Sequence, residues 1–253
     1  MKGKVYTYDG SFNGLCSVIY TVLKRRKKPA DIIKEKDYKF DLFFKKEYIK
    51  KSDEKAKILL NKIEENISSQ SSAFVFHAYL SEIEKIEINI FFYILKGFKL
   101  GKDIDRYLTD SSVRKVQESA KKVRRESHRI KGLLRFKESS SNRFYAEIEP
   151  DHNILTLLAP HFSQRFSVQD WIIHDKKRSA ALLYSSENNE WVLTELDKDF
   201  SPELIKSEYK IQDLWRTFFS SVSLKERPRY DLQRQFMPKK YWKNLIERPG
   251  KKY

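Results

Sequence analysis

The fold class is decided by residues 171–196, which read WIIHDKKRSAALLYSSENNEWVLTEL. Apolar and aromatic residues fill three short runs here, Trp171–His174, Ala180–Tyr184 and Trp191–Leu196, and charged or polar residues separate them. Short β-rich runs joined by a few turn-forming residues are typical of neighbouring antiparallel strands. The stretch therefore predicts an antiparallel meander.

The strand pattern extends toward the N-terminus as far as about residue 132. Leu134–Phe136 and Phe144–Ile148 alternate as strands do, and Ser139–Asn142 supplies a hairpin turn between them. A short helix to about Phe166 follows, and we expect Asp151 to be its N-cap. We therefore predict that the antiparallel arrangement covers about residues 132–196.

The residues before 131 favour helices instead. Lys4–Tyr8 is strand-like, Asp9 and Gly10 form a turn signal, and Ser11 begins an apolar-periodic helix. We predict an α+β protein with a mainly helical first half, a β-turn-α start and closing C-terminal helices. One chain-spanning domain, 1–253, is expected, with sub-regions 1–130 and 131–253. Further helices are indicated at about 52–67, 109–130, 207–222 and 238–246, and two more within 69–99.

The composition indicates a folded protein that attracts polyanions. Lys and Arg number 51 against 35 Asp and Glu, so the formal net charge is +16, which favours nucleic acid or an anionic membrane surface as partner. No apolar run approaches the ~20 residues of a membrane span, and the N-terminus lacks the pattern of a secretory signal. We expect a cytoplasmic protein. Its single cysteine, Cys16, excludes an internal disulfide and a thiolate metal cluster.

Positive charge is concentrated in two segments. Residues 114–135 contain nine basic and two acidic residues, which gives a net charge of 9 − 2 = +7. Residues 225–253 contain ten basic and three acidic residues, which gives a net charge of 10 − 3 = +7. Aromatic residues are interleaved in the second segment, which suits phosphate contacts combined with base stacking. The alternatives are a solvated helix face and aromatic residues that anchor a terminal helix. The predicted nucleic-acid-binding residues are Arg114, Lys121, Lys122, Arg124, Arg125, Arg129, Lys131, Arg135, Lys225, Arg227, Arg234, Lys239, Lys240 and Trp242.

A candidate acid–base cluster falls within one third of the chain, between residues 128 and 175. No pair of its histidines has the i,i+4 spacing of a zinc-hydrolase helix. The sequence also lacks a glycine-rich phosphate loop, a nucleophile elbow and a kinase signature, so we predict no metal and no cofactor. The candidates for catalysis are His128, Asp151, His152, His161, His174 and Asp175.

Short motifs occur along nearly the whole chain. They are YDGSFNG (8–14), HRIKGLLRF (128–136), YAEIEPDHN (145–153), APHFSQRF (159–166), WIIHD (171–175), LWRTFFSSV (214–222), KER (225–227) and QFMPKKYW (235–242). The motifs resemble those of one bacterial family, described as probable DNA metabolism or DNA repair proteins, which contain a domain of unknown function. Members of that family are encoded beside a radical S-adenosylmethionine protein of DNA modification or repair, or are fused to a uracil-DNA glycosylase. The resemblance implies an accessory role in DNA repair, with such an enzyme as partner.

Three functions follow from these observations. The first is a DNA-binding accessory protein that presents single-stranded or damaged duplex DNA to a partner enzyme of the radical S-adenosylmethionine or glycosylase type. The second is an enzyme that processes nucleic acid with the histidine and aspartate cluster, which requires three or more of those side chains to converge in one cleft. The third is a scaffold that chiefly contacts a partner protein.

Overall fold

A computed structural model describes residues 3–222 and 234–247, and its mixed helices and sheets confirm the predicted α+β class. The chain divides into two compact units, Met1–Arg124 and Arg125–Tyr253. The division falls inside helix α5 (Ser111–Leu133). The expectation of one chain-spanning domain stays a prediction. In the part of the chain that the structure describes, no helix is both long and apolar enough to cross a membrane.

The first unit contains a three-stranded parallel sheet in the order β2-β1-β3. The central strand β1 (Lys4–Tyr8) is buried from Val5 onward, as expected for a strand covered on both faces. Helix α1 (Phe12–Lys24) connects β1 to β2 (Asp31–Lys34), because parallel neighbours need a crossover connection. β3 (Lys45–Tyr48) is the other edge strand. The predicted β-turn-α start is therefore confirmed.

Serine side chains fix where helices of this unit begin. The Ser11 hydroxyl accepts a hydrogen bond from the Gly14 backbone N–H at 3.0 Å, and the Ser52 hydroxyl accepts one from the Lys55 N–H at 3.3 Å. These N-caps satisfy backbone donors that have no partner inside the helix. The other helical elements of the unit are α2 (Asp53–Asn66), α3 (Ser69–Leu80), α4 (Ile86–Leu100) and the 3-10 helices Glu35–Asp37 and Gly101–Arg106.

The second unit contains a five-stranded sheet in the order β4-β5-β6-β7-β8. The β6–β7 and β7–β8 pairs are antiparallel, which confirms the meander over 171–196. However, β5 and β6 are parallel, so the prediction of antiparallel neighbours throughout 132–196 is wrong at this pair. The cause is the intervening helix α6 (Leu155–Arg165), a crossover between the two strands. The strands are β4 (Lys137–Glu138), β5 (Phe144–Ile148), β6 (Trp171–Asp175), β7 (Ala180–Ser185) and β8 (Glu190–Glu195).

Helix α6 begins later than the sequence indicates. Its N-cap is Ile154, without a side-chain hydrogen bond, so the prediction that Asp151 caps this helix is wrong. The helix packs on the sheet through aromatic rings: Phe162 lies edge-on to Trp171 with ring centroids 6.2 Å apart, and Phe136 contacts both rings. This aromatic cluster belongs to the core of the second unit.

Two elements close the described chain. Helix α7 (Lys206–Val222) confirms the first predicted closing helix, and the second is a 3-10 helix, Lys239–Asn244, which follows Pro238. Its residues Tyr241 and Trp242 are buried, as is Leu245 beyond it. The apolar side of this short helix therefore packs into the second unit.

Candidate nucleic-acid interface

Helix α5 is the longest helix that the structure describes, and its start is well defined. The Asp110 carboxylate accepts hydrogen bonds from the backbone N–H groups of Ser112 at 2.9 Å and Val113 at 3.2 Å, an N-cap arrangement. In the first unit, Val116 and Ala120 are among the buried residues of this helix, and Ile130 is buried in the second. An apolar stripe at helical spacing leaves the remaining sides of the helix for charged residues.

The exposed side of α5 is strongly cationic, and we call it the α5 basic face. Helical spacing places Arg114, Lys121, Arg125 and Arg129 on one side, with Lys122 beside them, and all five side chains are exposed. The face follows from local helical geometry, in which residues three or four positions apart lie on the same side. One acidic residue, Glu118, interrupts this face.

The cations of this face lack counter-charges among the residues that the structure describes. None of them forms an ion pair or a side-chain hydrogen bond with another described residue. Like charges at i,i+4, such as Arg125 and Arg129, repel each other by a few tenths of a kcal/mol. Arg124, in the first unit, and Lys131, in the second, are also unpaired with any described residue. The face therefore carries positive charge that an external anion could neutralise.

Cations of α5 contribute to lowering the pKa of two histidines, one in each unit. In the second unit, burial lowers the pKa of His161, and the charges of Lys131 and Arg165 lower it further. In the first unit, burial lowers the pKa of His77, and Arg124 adds to the effect. Both imidazoles are therefore disfavoured as cations near this helix.

The cations of the C-terminal segment have different surroundings. Lys240 donates a hydrogen bond to Glu126 Oε1 at 2.6 Å and also pairs with the Asp151 carboxylate. Burial opposes its charge, but the hydrogen bonds to Asp151 and Glu126 outweigh burial and raise the pKa of Lys240. The predicted phosphate ligand Lys240 is thus held by two carboxylates of its own unit.

Glu126 is the centre of this arrangement. Its side chain accepts hydrogen bonds from the backbone N–H of Asp151 at 3.0 Å, the N–H of His152 at 2.9 Å and the Tyr241 hydroxyl at 2.8 Å. Burial raises the pKa of Glu126, but these donors together with Lys240 lower it overall, so the carboxylate is charged. Burial raises the pKa of Tyr241 to about 12, so the phenol keeps the proton that it donates. We call these residues the Glu126 cluster.

Arg135 is likewise paired inside the second unit. Its Nη2 donates to Glu247 Oε1 at 2.7 Å, and its guanidinium lies over the Trp215 ring at 5.5 Å from the centroid. The Trp215 indole N–H donates to Glu247 Oε2 at 3.1 Å. Burial opposes the Glu247 charge, but the hydrogen bond from Arg135 and further contacts lower its pKa overall. Arg135 is therefore a structural residue in this unit.

The remaining predicted contacts of the C-terminal segment divide into three groups. Trp242 is buried and its indole N–H donates to the Met237 carbonyl at 2.8 Å, so its ring anchors the 3-10 helix and is not displayed for stacking. Arg234 and Lys239 are exposed, and each makes an interaction. Lys225 and Arg227 lie outside the described residues.

Two of the candidate catalytic residues are buried and engaged in the second unit. His174 Nδ1 lies 2.7 Å from the Tyr145 hydroxyl, and burial, followed by the charge of Lys176, lowers its pKa. Asp175 pairs with Arg178 Nη1 at 2.9 Å, and burial raises the pKa of its carboxyl. Arg178 also donates to the carbonyls of Pro150 and Asp151. The Asp175–Arg178 pair thus fixes a turn to the strand end.

The other four candidates have different positions. His128 is exposed on α5, His161 is half-buried on α6 against Phe162, and Asp151 pairs with Lys240. His152 donates its backbone N–H to Glu126. Within residues 3–222 and 234–247, no three His, Cys, Asp or Glu side chains come together closely enough to hold a metal ion.

Sequence reasoning missed Glu126 and Glu247 as organising residues. Glu126 follows Val123 by three residues and precedes Ile130 by four, so it occupies the buried stripe of α5. An acidic residue at an apolar position indicates a buried partner, and this signal was present in the sequence. Glu247 has no such local pattern, because its partners Arg135 and Trp215 are distant in the chain.

Comparison with known proteins identifies a family. Residues 84–247, more than half of the chain, match the model of a domain of unknown function, DUF4130. The matched stretch contains α5, the Glu126 cluster and the five-stranded sheet, whereas the YDGSFNG motif at 8–14 precedes it. Curated proteins and solved structures give no match. The chain thus belongs to the DUF4130 family.

Proposed function

We propose that this protein binds DNA through the α5 basic face and acts as an accessory factor in DNA metabolism or repair. The observation that carries the proposal is the set of exposed cations at helical spacing that have no ion pair with any described residue. Phosphates would supply the missing counter-charges and relieve the repulsion along the helix. The proposal concerns contacts to the DNA backbone, which position a protein without reading sequence.

The number of cations sets the expected salt dependence. Four contacts from Lys121, Lys122, Arg125 and Arg129 to duplex phosphates give a slope of log affinity against log salt of about −3.6, at about −0.9 per contact. Raising salt fourfold would then weaken binding roughly 150-fold. This steep dependence separates phosphate binding from binding that is driven by apolar contact.

The accessory role and its partner come from the motifs of the sequence. Their resemblance to DNA metabolism and repair proteins supports a role beside an enzyme of the radical S-adenosylmethionine or glycosylase type. The described acid–base candidates give less support to catalysis by this chain, because His174 is buried against Tyr145 and Asp175 is paired with Arg178. We therefore propose that this protein holds the DNA and that the partner enzyme carries out the reaction.

Fluorescence anisotropy of a labelled duplex across a salt series tests the proposal. We expect Lys121→Ala/Lys122→Ala/Arg125→Ala/Arg129→Ala to weaken binding at low salt and to remove most of the salt slope. Alanine is the best helix former, so the variant should keep α5 intact. A circular dichroism melt checks that it does.

The control is Lys57→Ala/Lys62→Ala on helix α2, which is compared with Arg125→Ala/Arg129→Ala because both variants remove two positive charges. Both lysines are exposed and have no ion pair with a described residue, so this variant lowers net charge without changing the α5 basic face. We expect only a small loss of affinity. Wild-type protein that fails to bind DNA, or an α5 variant that binds like this control, would contradict the proposal.

A further inference from the structure

Exposed aromatic residues lie in the first unit, in a turn outside helix α5. The turn covers residues 40–44 and reads FDLFF, directly before edge strand β3. Phe40 is 81% exposed, Leu42 77% and Phe43 73%, which are large values for apolar side chains. We call Phe40–Phe44 the aromatic turn.

The aromatic turn has a defined geometry. The Phe43 backbone N–H donates a hydrogen bond to the Asp41 carboxylate at 2.7 Å, an Asx-type contact that stabilises a turn. Phe44 is less exposed, and its ring lies close to Gly3, where an added Cβ would be 3.5 Å from it. Phe44 therefore lies against the rest of the first unit, whereas Phe40 and Phe43 extend into solvent.

Cations flank the turn on both sides. Lys39 precedes Phe40 and Lys45 follows Phe44, and both are exposed without an ion pair to any described residue. The next lysine, Lys46, is engaged: it pairs with Glu35 and lies over the Tyr38 ring, 4.7 Å from the centroid. Two exposed lysines thus flank, in sequence, the segment that carries the two exposed phenyl rings.

This combination suits one class of ligand best. Exposed aromatic rings stack on unpaired bases, and neighbouring cations hold the phosphates of the same strand. Insertion into a lipid surface would carry Asp41 toward the apolar phase together with the rings, which is costly for a carboxylate. Burial in a protein interface is disfavoured by the lysines, because lysine is depleted from interface cores.

We propose that the aromatic turn is a binding site for single-stranded nucleic acid, with Phe40 and Phe43 stacking on bases and Lys39 and Lys45 contacting phosphates. The inference rests on the proposed function, because both sites would bind nucleic acid. It names the form of that ligand, a strand with unpaired bases. The site lies in the first unit and can fail independently of Arg125 and Arg129.

Anisotropy of labelled oligothymidine and of a matched duplex tests the site with two variants. Phe40→Ala/Phe43→Ala should weaken oligothymidine binding by at least about 30-fold, since each base–aromatic stack is lost, and should change duplex binding by less than about 3-fold. Phe40→Leu/Phe43→Leu keeps the apolar surface but removes the rings, so we expect the same loss. Both positions are highly exposed, so folding should be unaffected.

A charge variant and a tyrosine variant complete the test. Lys39→Ala/Lys45→Ala should reduce the salt slope for oligothymidine by about 1.4, at about 0.7 per contact. Phe40→Tyr/Phe43→Tyr should bind like wild type, because it retains both rings. Oligothymidine binding that the leucine variant retains would overturn the inference, as would equal losses on duplex and single strand in the alanine variant.

The outcomes also separate this site from the α5 basic face. If the α5 variant loses DNA while Phe40→Ala/Phe43→Ala keeps oligothymidine, the inference is overturned and the proposed function stands. If the alanine and leucine variants of the aromatic turn lose oligothymidine binding while the α5 variant binds DNA normally, the inference is supported and the α5 assignment is contradicted. Binding to anionic lipid vesicles is measured with the same variants. If Phe40→Ala/Phe43→Ala loses vesicle binding but keeps oligothymidine binding, the inference is overturned in favour of a lipid surface.

Discussion

The α5 basic face and the 3-10 helix Lys239–Asn244 both present basic residues, but their charges have opposite surroundings. Arg125 and Arg129 are exposed and have no ion pair with any described residue. Lys240 contacts both Glu126 and Asp151, and Glu126 is buried. A count of charges in the sequence therefore does not distinguish cations that are available to bind a ligand from cations that stabilise the fold.

The physical reason lies in what each cation would give up on binding a phosphate. A phosphate at Arg125 replaces water and reduces repulsion from Arg129. A phosphate at Lys240 would compete with Glu126, and a buried carboxylate without its partner is strongly unfavourable. We therefore expect substitutions at the two places to affect different measurements.

The largest expected effect is on folding, from the Glu126 cluster. Glu126→Ala leaves the Tyr241 hydroxyl and two backbone N–H groups without their acceptor and removes one of the two carboxylates that hold Lys240. It should lower the free energy of unfolding by about 3–5 kcal/mol. Urea unfolding of both proteins measures it. The control is Glu118→Ala, an exposed acidic residue of the same helix, with an expected change within about 0.5 kcal/mol. Equal changes in the two variants would mean that the cluster does not stabilise the fold.

A smaller effect is expected in the pH dependence of stability. Burial raises the pKa of Glu126, but its hydrogen bonds lower it overall, to below the ordinary value of a glutamate. Its contribution is therefore full above about pH 5 and is lost as pH falls through the lower folded pKa. Glu126→Gln removes this titration, so its free energy of unfolding should fall less steeply than that of wild type between about pH 5 and 3. Identical slopes would show that Glu126 does not titrate in this way.

Much of the fold could be predicted from local sequence. Ser11 and Ser52 are capping residues directly before apolar-periodic segments, and each is an N-cap in the structure. The alternation over 171–196 predicted the β6–β7–β8 meander, because strand period and turn residues are local signals. The parallel β5–β6 pair was missed although the crossover helix between them had been recognised.

The candidate site could be predicted only in part. The spacing of Arg114, Lys121 and Arg125 already placed them on one helix face, since that geometry is local. The pairing of Lys240 with Glu126 could not be found in this way, because the two residues are 114 positions apart in the chain. Sequence therefore located the cations, and tertiary contacts determined which of them are available.

The salt dependence of duplex binding in two variants tests this contrast most directly. Arg125→Ala/Arg129→Ala should reduce the slope of log affinity against log salt by about 1.8, because two phosphate contacts are lost. Lys240→Ala should leave that slope unchanged and should instead lower the urea midpoint. A slope that falls with Lys240→Ala and stays at the wild-type value with Arg125→Ala/Arg129→Ala would contradict the account.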